Sequence, residues 1–408
     1  MVRDMIGTFS KGFKVLAIIS LCSFLAACSD YKEVNQISFA IGVALDKEND
    51  GTYKATLQVV NPSNVTSASS TGGQGPAILN YQGQGRTVGE AMWKSFEKLP
   101  RPASFPHLEI VVISEAIAKE GLLNALELFD REPDVRLSTA VTVSHNSSAC
   151  SILNALTPLN KIPSNSLISN LENIKKVAGT GQSLTISQII QYIKDDGQEV
   201  AISTVALPKK KKSTGDLSNL EKASPTSPEI DGTAFFKEDK WVTWSKNHEI
   251  RPVLIAYNEM KSSYITAPFE KHKFVTAHLL TVKSKKYTTV KDGIPYLKMN
   301  VKGIAEIEEI KGLYTLENDK DLQPIEKSVE EEIKKEIKKM IALTQKYQTD
   351  TLGFGKQLSF QHPSQWKYYR KSWSSLYQKA QTEVHVDISI KTAGSRTHSN
   401  QFQRGETQ

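Results

Sequence analysis

The chain has 408 residues but only three cysteines, Cys22, Cys28 and Cys150. So sparse a set excludes a disulfide-stapled scaffold and a thiolate metal cluster, leaving an apolar core to hold the fold. Histidine is thin as well, at eight residues, and none stands at a metal-ligand spacing. His248-Glu249-Ile250-Arg251-Pro252 lacks the second histidine that a zinc-protease helix requires. Phosphate loops are missing. Gly83-Gln84-Gly85-Arg86-Thr87-Val88 begins like a dinucleotide turn, then lacks the third glycine and the ribose-binding acid. Ser95-Phe96-Glu97-Lys98 has the spacing of a penicillin-recognising serine enzyme, without its Ser-Asp-Asn and Lys-Thr-Gly partners. Lys98 therefore reads as a helix-end cation. Outside residues 15–27 no segment approaches the ~20 apolar residues of a membrane span.

What is present begins at the amino terminus. Arg3, Lys11 and Lys14 precede the short apolar run, which closes on Leu25-Ala26-Ala27-Cys28. Charged start, short apolar middle and small residues before a cut describe a signal peptide over residues 1–27. A cysteine directly after the small residues resembles the lipobox of lipoprotein precursors. It implies a diacylglycerol on the Cys28 thiol, with N-acylation of the new terminus, as a membrane lipid anchor. Each buried methylene contributes roughly 0.8 kcal/mol, and two chains hold where one does not. No other cofactor and no metal is expected. The formal charge of +7 suits an anionic surface, and no binding motif points to nucleic acid.

Alternation and turn signals divide the remainder. Residues 28–208 read as an α+β domain with a mixed sheet. It has strands near 38–46, 53–60, 107–114 and 137–144, and helices near 87–98 and after Gly121. Thr185-Ile186-Ser187-Gln188 has capping-box spacing. Residues 209–228, with Lys209 to Lys212 and two prolines beyond them, read as a linker or loop. Residues 229–392 read as a second α+β domain, a largely antiparallel sheet with long packing helices, with a further split near 268–272 and a disordered tail over 393–408. Its longest helix carries Ile325, Val329, Ile333, Ile337 and Ile341, with Pro324 in the first turn. A last helix is expected over residues 364–380. Cys150 reads as a small buried residue. Asp130, Glu132 and Asp134, beside Arg131 and Arg136, read as a helix-end charge network rather than catalytic acids.

Ordered blocks along the chain carry a resemblance. Gln58-Val59-Val60-Asn61-Pro62, then Leu128-Phe129-Asp130-Arg131-Glu132-Pro133-Asp134-Val135-Arg136, Gly232-Thr233-Ala234-Phe235-Phe236-Lys237 and Asp350-Thr351-Leu352-Gly353-Phe354-Gly355, with Trp366 and Trp373 behind, follow the lipobox. Together they resemble the GerC-type family, the C-subunit lipoproteins of bacterial spore germinant receptors. Arg251-Pro252 departs from that pattern, where Arg-Gly is common. The resemblance implies a non-enzymatic subunit on the outer face of the spore inner membrane. Its partners would be integral-membrane A-type and B-type subunits, and small-molecule germinant binding by this subunit is not expected. It marks Asp130, Arg131, Arg136, Asp350, Gly353, Phe354, Gly355, Trp366 and Trp373 as structural or partner-contact positions. Two rivals stand beside it, a solute-binding lipoprotein of an uptake system and a cell-wall or cortex hydrolase.

Overall fold

The computed structural model describes residues 36–61, 76–157, 160, 162–208, 215, 219, 222, 226–312, 314, 316 and 319–391. The signal segment, Cys28 and the residue 393–408 tail lie outside them, and residues 209–228 are described only in part.

Two sheets organise the chain. The first runs β10-β9-β8-β6-β5-β1-β2-β3, from strands β1 (Ser38–Lys47), β2 (Tyr53–Val60), β3 (Ile78–Gly85), β5 (Ile110–Ser114), β6 (Ala140–Ser144), β8 (Ala201–Ala206), β9 (Glu229–Lys237) and β10 (Lys240–Lys246). Two short strands, β4 (Ala103–Ser104) and β7 (Leu184–Thr185), pair with β1 and β6. The central pairings of β1, β5, β6 and β8 are parallel and the outer ones antiparallel, so the sheet is mixed, as expected. Parallel strands are buried on both faces, and Ile110 to Ile113 are wholly enclosed.

Helices cover both sides. One face carries α1 (Val88–Phe96), α2 (Glu115–Glu120), α3 (Leu122–Arg131) and α6 (Ile186–Lys194). The other carries α4 (Ala149–Leu153) and α5 (Pro163–Val177). The capping box foreseen at Thr185 and Gln188 is in place, and Thr87 caps α1 by accepting from the Glu90 amide. Asp46, at the end of β1, accepts the Ala149 and Cys150 amides at 2.7 and 2.8 Å and so starts α4.

The second sheet runs β11-β12-β13-β14, from Ser263–Glu270, Lys273–Lys291, Ile294–Lys311 and Gln381–Lys391. Its strands pair antiparallel until β14, which returns parallel to β13. Between them lie α8 (Asp319–Lys346), α9 (Phe354–Gln361), α10 (Pro363–Tyr369) and α11 (Trp373–Gln378). Ile325, Val329, Ile333, Ile337 and Ile341 of α8 are all buried against the sheet.

Four expectations are corrected. Strands β9 and β10 extend the first sheet, not the second. Adjacent Phe235 and Phe236 are both fully buried and enter different cores, which suits a strand enclosed on both faces. No split occurs at residues 268–272, where β11 turns into β12 as a hairpin with His272 at φ 61°. Helix α8 begins upstream of Pro324, at Asp319, because Leu322 packs on the same stripe as Ile325. The helix expected at 364–380 is broken at residues 370–372, where the Ser372 hydroxyl donates to the Tyr369 carbonyl and competes with the helical bond.

Candidate functional site

Where the two sheets meet, one carboxylate gathers the chain. Asp350 follows α8 and is 2% exposed. Its Oδ1 accepts the Phe354 amide at 3.1 Å, and Oδ2 accepts the Gly355 amide at 2.6 Å and the Trp373 indole Nε1 at 2.9 Å. Three N–H donors aimed at two oxygens suit an ionised carboxylate. Burial pushes the Asp350 acid above its ordinary range, while those donors and the Lys286 ammonium act against the rise. Lys286 donates to the Leu352 carbonyl, and burial brings it down to about 8.

Both halves of the chain are fastened through this point. The Glu199 amide donates to the Asp350 carbonyl at 3.1 Å and the Lys356 amide to the Gly197 carbonyl at 2.7 Å. Lys356 Nζ pairs with Asp195 at 2.5 Å, and Lys237 Nζ bonds Gln348 at 2.7 Å. Glu199 accepts the Glu238 amide at 2.8 Å. Burial raises the Glu199 carboxyl to about 8, and the nearby Asp350 adds to the rise.

Glycines allow the close approach. Gly197 stands at φ +92°, and a Cβ there would fall 2.6 Å from the Trp366 ring and 2.7 Å from the Gly355 carbonyl carbon. A Cβ on Gly355 would meet Trp373 Nε1 at 2.5 Å. Only glycine fits both. Trp366 and Trp373 meet edge-on at 5.7 Å, and Phe354 is fully enclosed.

A second device finishes the sheet edge beside this hub. Strand β11 covers β12 only as far as Leu279. Beyond it, Asn258 exchanges both backbone bonds with Ser284. Gln361 takes the Thr288 amide and donates to the Lys286 carbonyl, and Gln365 does both for Val290. Three side-chain amides thus replace a strand and close an edge that would otherwise pair with other chains.

Of the positions marked in the sequence, Asp350, Gly353, Phe354, Gly355, Trp366 and Trp373 come together here. Asp130, Arg131 and Arg136 do not: they lie at the end of α3, all exposed. Arg131 pairs with Glu127 at 2.6 Å rather than with its acidic neighbours, and only Val135 of that corner is buried. Cys28 is outside the described residues. Arg251 is buried, gripping Glu336 through two bonds at 2.7 and 2.8 Å, and Pro252 fits the first turn of α7 (Arg251–Ala256) without disturbing it. Sequence reasoning passed over Glu199, Tyr257 and Lys286. For Lys286 a signal existed, because it shares the parity of Val282, Ser284, Thr288 and Val290, the inward residues of β12.

The Ser95 and Lys98 spacing does not form a serine-enzyme pair. Ser95 is buried and its hydroxyl donates to the Met92 carbonyl at 2.6 Å, while Lys98 bonds the Gln82 carbonyl. Among the described residues no group of three His, Cys, Asp or Glu side chains is placed to hold a metal, and no helix is long and apolar enough to cross a membrane.

Comparison with known proteins covers both halves. Residues 30–207 match the family described as spore germination protein N-terminal domain, and residues 231–394 the family described as spore germination B3/GerAC like, C-terminal. Spore germination protein KC of Bacillus subtilis is 28% identical over 393 residues, covering 94% of this chain and 95% of that one. Spore germination protein GerQC of Bacillus cereus is 24% identical over 382 residues, covering 93% and 98%. The crystal structure of the GerBC protein shares the fold with a TM-score of 0.55 at 18% identity, over 88% of this chain and 99% of that one.

Proposed function

This chain belongs to the spore germination family that those two domains define, and on that footing we propose that it is the C-type subunit of a germinant receptor. It is held by lipid on Cys28 at the outer face of the spore inner membrane. There it supports assembly and signal relay beside integral-membrane A-type and B-type subunits, and it performs no reaction of its own.

The observation that carries this reading is the pair of family matches, one over each half, at residues 30–207 and 231–394. The buried seam around Asp350 supports it physically. Its fastenings include backbone and side-chain bonds across the two halves, and they join the two sheets into one body. Such a body suits relaying a displacement between neighbours better than closing around a solute. The exposed, charged corner of Asp130, Arg131 and Arg136 is the surface offered to a partner subunit.

Affinity purification of a tagged full-length chain from solubilised spore membranes tests the assignment. Two integral-membrane proteins should copurify with it, and charge reversal at Arg131 and Arg136 should reduce their recovery. Recovery of the chain alone under conditions that keep other membrane complexes intact would refute it.

A further inference from the structure

Beside the Asp350 hub lies an open cavity of about 470 Å³. Its inner end holds two unspent donors. The Tyr257 hydroxyl is buried without a hydrogen-bond partner, although a donor so placed normally finds one. Lys286 has three protons and, among the described residues, its hydrogen bond is to the Leu352 carbonyl. The two groups converge over Gly353. A Cβ there would lie 2.7 Å from Tyr257 Oη and 3.3 Å from Lys286 Nζ, and the residue stands at φ +72°. Glycine keeps that point open. Both donors are held in place, since Tyr257 stacks on Tyr192 at 6.1 Å and the Lys286 ammonium lies 4.5 Å from the Tyr257 ring centre.

Charge and spent partners narrow the ligand. The lining includes Lys285, Lys286 and Lys356 and contains no carboxylate. Asn258 and Gln361 are committed to the edge of β12. The first amides of α9 are committed too, to Asp350 and the Gly197 carbonyl, so no cradle of backbone N–H groups remains for a phosphate. What is left is one hydroxyl and one ammonium side by side, a match for the two oxygens of a monoanion. Tyr287 and Phe360, 44% and 70% exposed, line the cavity as well and offer an apolar surface to whatever bears the charge.

We propose that this cavity is a carboxylate-binding site, with Tyr257 and Lys286 each donating to one oxygen and an apolar or aromatic group lying against Phe360 and Tyr287. The carboxylate is either that of a small free acid or a side chain carried by a neighbouring protein. The site stands on its own geometry and does not depend on the receptor assignment.

Calorimetry on the full-length chain tests it with two probes, phenylacetate and a capped peptide bearing a single glutamate beside a phenylalanine. One of them should bind saturably at one site per chain. Tyr257→Phe, which removes only an unpartnered hydroxyl and should leave folding intact, should weaken that binding about tenfold. Lys286→Met should weaken it further, and affinity should fall as pH rises through about 8, where Lys286 loses its proton. Binding of phenylacetate identifies a free acid as the ligand class, and binding of the peptide alone identifies a partner's side chain. Silence from both probes, or binding indifferent to Tyr257→Phe, would overturn the proposal.

Discussion

The indole Nε1 of Trp373 donates to the Asp350 carboxylate at 2.9 Å, across 23 residues of sequence, with both side chains buried. This bond ties the start of α11 to the turn after α8. The same oxygen also takes the Gly355 amide. Asp350→Asn keeps the shape but presents an NH₂ group to at least one donor and leaves Lys286 without its counter-charge. It should cost about 3 kcal/mol or more. Trp373→Phe leaves two donors in place and should lose about 1–2 kcal/mol from that bond and its packing. Urea denaturation of both variants checks the order, and a Trp373→Phe loss larger than that of Asp350→Asn would show that packing outweighs the carboxylate.

Gly353→Ala should destabilise by about 1–2 kcal/mol from the left-handed backbone alone. The contact with Tyr257 Oη at 2.7 Å adds to it. Combining it with Tyr257→Phe should recover the second part and not the first. Purely additive losses in a double-mutant cycle would mean the hydroxyl is not what the new methyl meets.

The seam also carries a pH signature. Glu199 titrates near 8 in the folded chain against 4.5 when free, so the folded state binds more protons between those values and stability falls as pH rises through them. Lys286 titrates near 8 against 10.5, so the unfolded state binds more protons above pH 8 and stability rises there. Glu199→Gln should flatten the first slope and leave the second. An unchanged decline in denaturation midpoint from about pH 5 to 8 in that variant would remove Glu199 from the account.

Much of this was legible beforehand. The β12–β13 pair, the isoleucine stripe of α8 and the Thr185 cap each follow from local periodicity or spacing. Sheet membership of β9 was not, because alternation tells how a strand is buried and not which edge receives it. The hub was marked only through family resemblance: Asp350 has donors from Gly355 and from distant Trp373, and no local pattern announces the second. No motif marks Tyr257 or Lys286, though the parity of Lys286 along β12 places it inward.

Arg251→Ala should strand Glu336, which burial already pushes upward in pKa, and cost about 3–5 kcal/mol. Removing both charges, as Arg251→Met with Glu336→Gln, should recover most of the loss. Equal losses in the single and double variants, read by thermal denaturation, would mean the pair is incidental to stability.

The proposed receptor role requires anchorage, and Cys28→Ala in spores tests it most directly. The variant chain should leave the membrane fraction, and germination in response to the receptor's nutrients should be lost or sharply slowed while nutrient-independent germination persists. A Cys28→Ala chain that still sediments with spore membranes and supports nutrient germination at the parental rate would contradict the account.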